Sequence, residues 1–180
     1  MPEDEQSHAV ASAFIVKARS LLMTDYLPKI ERCMEQLQDE DIWWRRGEES
    51  NSIGNLMLHL CGNVRQWIVS GVGGAADTRT RQSEFDERAL IPRSELMAKL
   101  RQTLHEVDAV LTSLPPSTLL ERRTIQGAEQ TLIDAIFHVV EHFSMHTGQI
   151  ILLTKMLTES DLRFYDFSEG RPRADWHTKQ

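Results

Sequence analysis

Ala135-Ile136-Phe137-His138-Val139-Val140-Glu141-His142-Phe143-Ser144-Met145-His146-Thr147-Gly148-Gln149-Ile150-Ile151-Leu152-Leu153 is the stretch that decides the fold. No turn residue interrupts it before Gly148, and it is apolar nearly all round, which predicts a long helix covered on most sides. Thr131-Leu132-Ile133-Asp134 opens it, threonine first and an acid three on, as in a capping box. The helix then runs to about Leu157. At about 100° per residue, Leu132, Ala135, Val139, Phe143, Ile150, Leu153 and Leu157 share one core face. Three histidines follow the same helix at four-residue spacing. On this wheel His146 points near the middle of the core face, His142 sits at its side near Gln149, and His138 lies at the margin. Ser144 and Gly148 face the other way, near Ile133, Val140 and Ile151. A glycine inside a helix costs about 1 kcal/mol against alanine. That cost predicts close approach of another helix, within the bundle or across a dimer.

Three more helices are predicted on the N-terminal side. The first spans about Ser7 to Gln38, with Ala13, Val16, Ala18, Leu21, Leu22, Tyr26, Leu27, Ile30, Met34 and Leu37 at helical spacing. Pro28 removes a backbone donor and crowds the preceding turn, so a kink is expected near Asp25 to Leu27. A connector with Trp43 and Trp44 ends at Asn51-Ser52. Ser52 is the predicted N-cap of the second helix, Ile53 to about Ser70, which Gly71, Gly73 and Gly74 terminate. The long loop at about 71–92 is polar from Ala75 to Ile91. Loops of this length are lids, binding loops or solvated excursions. The third helix opens at Pro92 and Ser94 and stops at Pro115-Pro116. His105 lies on it beside Glu106 and Asp108 and reads as surface. The connector Leu120 to Gln130 is expected to be partly extended. The tail at about 158–180 is polar, but Phe164, Tyr165, Phe167 and Trp176 predict that it packs on the domain. Four long helices with unequal connectors make an all-α four-helix bundle, read as one domain over residues 1–180.

Composition narrows the function. A chain of 180 residues buries a sizeable core without disulfides or a structural metal, so a metal here would serve function. The net charge of −7 gives no electrostatic reason to expect nucleic acid or an anionic membrane as partner. Cys33 and Cys61 lack metal or redox spacing and read as reduced core thiols. The acidic start carries no signal-peptide pattern, and no apolar run reaches membrane-spanning length. A cytoplasmic location is the default expectation.

The histidines carry the chemistry. Side chains four apart on a helix are neighbours, so His142 and His146 can grip one ion. A buried neutral imidazole needs partners for both nitrogens, and the neighbouring side chains offer few. His59 lies beside the core stripe of the second helix, in one row with Leu56 and Asn63, and supplies a third nitrogen. His59, His142 and His146 together fit a metal site with an open coordination position. His138, Asn63, Gln66 and Gln149 are expected around these ligands, orienting them by hydrogen bonds. No Glu-x-x-His occurs at the site, which excludes a ferritin-like di-iron centre. A mononuclear three-histidine centre suits Zn²⁺, Ni²⁺ or Fe²⁺. Neutral ligands leave the ion's charge uncompensated, which acidifies a bound water or thiol. There is no assembled Ser-His-Asp set and no glycine-rich phosphate loop.

Two motifs carry a family resemblance. Asn51-Ser52-Ile53-Gly54-Asn55-Leu56 leading into Leu58-His59-Leu60 looks like the second-helix motif of the DinB-like superfamily, also called YfiT-like. His142-Phe143-Ser144-Met145-His146-Thr147-Gly148-Gln149-Ile150 looks like its fourth-helix motif. The resemblance covers most of the chain. It implies a four-helix bundle of up-down-down-up topology and a divalent metal on three histidines, which map to His59, His142 and His146. Many members form dimers. Members are described as hydrolases, and related groups transfer low-molecular-weight thiols to electrophiles. Where many relatives have arginine after the third histidine this chain has Thr147, a departure that bears on the metal's surroundings and the substrate. The expectation is a metal-dependent hydrolase or thiol S-transferase acting on a small molecule. The alternative is a non-catalytic metal or small-ligand binding bundle. A homodimer is expected through the back of the fourth helix, where Ile133, Phe137, Val140, Ile151 and Leu152 form an apolar surface.

Overall fold

Thr131 caps the long helix as its sequence predicts. Its hydroxyl accepts from Asp134 N at 3.2 Å, and the Asp134 carboxylate accepts from Thr131 N. The computed structural model describes residues 3–175, and over these the chain is mostly helical. The capped helix, α7, is Leu132–Thr158. Its buried face is Leu132, Ala135, Ile136, Val139, Phe143, Thr147, Ile150 and Thr154. This corrects the helical wheel. Thr147 occupies the middle of the buried face and His146 lies half-buried on its flank. The buried hydroxyls of Thr147 and Thr154 donate to the carbonyls of Phe143 and Ile150, each at 2.8 Å, so they are satisfied within the helix. Leu153 and Leu157, placed on the core face by the wheel, are half-buried.

The first predicted helix is three segments in series. They are α1 (Glu3–Ser20), a π-helical stretch Leu21–Tyr26, and α2 (Leu27–Glu35). Pro28 has no N–H and its ring crowds the carbonyl one turn back. The ladder widens just before it, and Leu27 N–H bonds Leu22 O, five residues back. The wide turn carries Tyr26, whose ring stacks on Phe143 of α7 at 5.9 Å.

The short helix α3 (Asp39–Trp43) leads to the second predicted helix. This is α4 (Ile53–Val64), continued by a second π-helical stretch, Arg65–Val72. Trp43 lies across the start of α4, where a Cβ on Gly54 would fall 2.7 Å from the indole ring, so only glycine allows that approach. The Trp43 indole N–H donates to Ile91 O at 3.0 Å and ties down the end of the long polar segment. Ser52 caps α4 in a reciprocal box with Asn55. Ser52→Ala is expected to cost about 1 kcal/mol in urea unfolding. An unchanged midpoint would show that the cap is redundant.

The segment from Ala75 to Ile91 is not a solvated excursion. It contains α5 (Arg81–Asp86), which packs on α4. Asn55, wholly buried, donates from Nδ2 to Glu84 O at 2.9 Å and to Glu87 O at 3.1 Å. The third predicted helix is α6 (Arg93–Ser113), packed along α4 and tied to α1 by the Arg19–Asp108 ion pair. His105 on it is exposed, as expected.

The chain also forms two small sheets, the first of them in the connector expected to be partly extended. The connector before α7 is a hairpin, β1 (Arg122–Ile125) with β2 (Ala128–Thr131), turned by Gln126 and Gly127, both at positive φ. The tail forms a second hairpin, β3 (Tyr165–Asp166) with β4 (Arg173–Ala174). Arg32 of α2 anchors it, donating to the carbonyls of Leu162 and Arg163 and to Asp175. Leu162 is buried and Phe164 packs on the core, whereas Tyr165 and Phe167 are exposed. Trp176 lies outside the described residues. Cys33 and Cys61 are buried free thiols, pushed up by burial to about 11 and about 12.

No helix of the described residues is long and apolar enough to cross a membrane. The close approach expected at Gly148 is absent among the described residues, since a Cβ built there meets none of their atoms within 4 Å. Phe137, Met145, Leu152 and Met156 of the same helix are exposed.

Candidate metal centre

Helix periodicity puts His142 and His146 one turn apart on α7, and the packing of α4 against α7 brings His59 to both. His59 is buried; His142 and His146 are half-buried. His59 Nε2 lies 3.0 Å from His142 Nε2, and His146 Nε2 lies 3.1 Å from the same atom. One ligand nitrogen from each of the three lies within 4.8 Å of the other two. Ligands about 2.0–2.1 Å from a tetrahedral ion would be about 3.3 Å apart, close to the two distances measured from His142 Nε2.

Hydrogen-bond accounting supports the same conclusion. His59 Nδ1 lies 2.9 Å from Glu84 Oε2. Arg79 Nη2 approaches the same nitrogen at 3.2 Å, but the nearer carboxylate accepts only, so Nδ1 carries the proton and Nε2 presents its lone pair. Burial pushes the Glu84 carboxyl up, but hydrogen bonds and charge from Arg79 and His59 together hold it below its ordinary value. His146 Nδ1 donates to Gln149 Oε1 at 2.6 Å, which leaves its Nε2 lone pair free as well. Both lone pairs point at His142 Nε2, which has at most one proton to give. His142 Nδ1 is buried with no hydrogen-bond partner. A cation among the three nitrogens satisfies lone pairs that the imidazoles cannot satisfy among themselves.

The protonation states agree. Burial first, then repulsion from His146, His59, His138 and Arg79, pushes His142 down to about 3. Burial, reinforced by His59 and opposed by the Gln149 bond, lowers His146. At neutral pH both are neutral donors, the state in which imidazole binds metal.

The expected surrounding residues fall in different places. Gln149 holds His146. His138 stands outside the three-nitrogen cluster, its ring 5.5 Å from that of His142 and tilted against Trp67 at 4.1 Å. Asn63 Nδ2 lies 3.5 Å from His138 Nε2. Gln66 reaches no histidine. It accepts from Arg79 at 2.8 Å and donates to Asp77 at 2.7 Å. Thr147, next to His146, is buried in the core and donates to Phe143 O at 2.8 Å.

Glu84, Arg79 and Phe85 were not anticipated. Phe85 packs against the His59 ring at 4.8 Å, and the Arg81 guanidinium lies over the Phe85 ring at 4.7 Å. Glu84 lies in a polar segment where carboxylates normally face water, so its composition gave no sign. The available signal was Gly62, three residues after His59 and on its face of the helix. A Cβ there would fall 1.8 Å from Glu84 Oε1.

The family described as "Protein of unknown function (DUF1572)" matches residues 9–171. The chain belongs to this family. No curated protein matches it. Among solved structures, a DinB-like protein from Bacillus cereus ATCC 10987 superposes with a TM-score of 0.60 at 16% identity, over 74% of this chain and 87% of that chain. This DUF1572 protein thus has a DinB-like fold, and its three-histidine cluster is compatible with metal binding.

Proposed function

We propose that this DUF1572 protein binds one divalent ion, Zn²⁺, Ni²⁺ or Fe²⁺, through His59, His142 and His146, and uses it as a hydrolase or thiol S-transferase on a small molecule. The convergence of three imidazole nitrogens whose lone pairs have no mutual solution carries this reading. A divalent ion there supplies Lewis acidity, lowering the pKa of a water or thiol in an open position. The chain's own part is to keep the donors neutral and to aim them. Gln149 fixes His146, and Phe85 excludes water from one face of His59. We also propose that the helices form one four-helix bundle domain of up-down-down-up topology, and that the exposed apolar face of α7 pairs two copies.

Elemental analysis of untagged protein is expected to find one ion per chain. Alanine at His59, His142 or His146 should abolish it, while His138→Ala should retain it. Wild-type metal content in the three ligand variants would overturn the site. Ester, amide and thiol-transfer substrates with chelator controls then separate an enzyme from a non-catalytic metal-binding bundle.

A further inference from the structure

Glu84 is a charged side chain in a place that composition does not favour. Its side chain is 9% exposed and that of its partner Arg79 only 5%. Arg79 grips the carboxylate with two bonds, Nε to Oε1 at 2.7 Å and Nη2 to Oε2 at 2.8 Å. The clamp is itself braced. Arg79 Nη1 donates to Gln66, Gln66 donates to Asp77, and Asp77 accepts from the Arg79 backbone N–H at 3.0 Å. A buried ion pair gives little net stability over an apolar pair of the same volume, because desolvation offsets the attraction. Stability alone is therefore a poor reason for this arrangement. What the carboxylate does besides is accept from His59 Nδ1, opposite the nitrogen that faces His142 and His146.

Arg79 and Glu84 both belong to the segment between residues 75 and 91, whereas His59 belongs to α4. The metal centre and this segment thus meet at His59 Nδ1, which lies 2.9 Å from Glu84 Oε2 and 3.2 Å from Arg79 Nη2. We infer that Glu84 is a positioning residue for the metal centre, and that ion binding and the seating of residues 75–91 on the bundle are coupled through the Arg79–Glu84–His59 chain. The inference rests on the metal-binding reading above. Glu84 fixes the His59 tautomer with Nε2 free for the ion and holds the ring in plane for it. Linkage makes the effect mutual. Whatever factor the seated segment adds to ion affinity, the bound ion returns to the seating of the segment.

The test is a zinc titration of wild type and Glu84→Gln against a chromophoric chelator, with amide exchange over residues 75–91 measured with and without zinc. Glutamine keeps the shape and removes the charge. The expected result is zinc affinity about 10- to 100-fold weaker in the variant. Zinc should slow exchange in the segment for wild type and leave it unchanged in the variant. Exchange in α6 and α7 of the metal-free variant, slow as in wild type, shows that the fold is intact. Should Glu84→Gln fail to fold, Arg79→Gln loosens the clamp and keeps the carboxylate, and a smaller loss of affinity is expected. Zinc affinity within twofold of wild type in the folded variant overturns the inference, as does segment exchange indifferent to zinc in wild type. A wild-type protein that takes up no zinc, nickel or iron fails earlier and overturns the metal-binding reading itself.

Discussion

Acidifying the metal-free protein from pH 7 to pH 3 is expected to remove on the order of 3 kcal/mol of stability through His142 alone, after allowance for solvent screening at a half-buried site. The unfolded chain takes up a proton at this histidine near pH 6.5, its ordinary value. The folded chain resists until about 3. Between those values the unfolded state binds more protons, so stability falls as pH falls. Burial is the main cause, and three neighbouring histidines and Arg79 add to it. His146 is shifted in the same direction. Glu84 adds a loss of the same sign at lower pH. Its carboxyl is held below the ordinary value, so its contribution is present above that value and disappears as pH falls through the folded one. Urea unfolding at pH 7, 5 and 4 measures the slope. His142→Gln removes the leading titrating group and should flatten the curve. An equally steep loss in that variant would place the acid sensitivity elsewhere. A bound ion demands neutral imidazoles, so acid should release it over the same range.

Gly62→Ala should be far more damaging than its size suggests. Alanine in a helix ordinarily gains about 1 kcal/mol over glycine. Here the new methyl would fall 1.8 Å from Glu84 Oε1, 2.7 Å from its Cδ and 2.9 Å from Arg79 Nε. The carboxylate cannot retreat and keep its bonds, because Arg79 holds both oxygens and Asn55 holds the backbone of the same residue. Expelling it leaves Arg79 buried without its partner, a change that costs about 3–5 kcal/mol in comparable pairs. A net loss of about 2–4 kcal/mol in chemical unfolding is expected, with weakened zinc affinity. A variant as stable as wild type, binding zinc equally well, would show that the Glu84 seat is loose.

The helices were legible because each carries local signals that tertiary packing did not overrule. Ser52 and Thr131 cap where their spacing says, and Pro115-Pro116 follows the end of α6. The three clustered histidines were legible because a four-residue spacing on α7 and a core-side histidine on α4 need no knowledge of the connectors. The wheel misjudged His146 because its core face was drawn from apolar residues alone, which leaves out Thr147 and Thr154. A threonine that bonds its own helix backbone can occupy the centre of a buried face, as Thr147 does. Glu84 was hidden for a different reason. Its burial depends on where a long connector folds back, a non-local fact, and on a missing side chain at Gly62. The short hairpins escaped because strands of two to four residues fall below any periodicity.

The two π-helical stretches bear on how this chain can diverge. Each wide turn accommodates one more residue than an α-turn would over the same rise. Removing a single residue from Leu21–Tyr26 or from Arg65–Val72 would let the helix close to regular pitch while the residues beyond it keep their faces. Shortening the second stretch would leave His59 and the cap at Ser52 where they are and confine the change to the wide turn. Relatives that differ by one residue at these places are therefore best aligned from both ends towards the wide turn, with the gap left there.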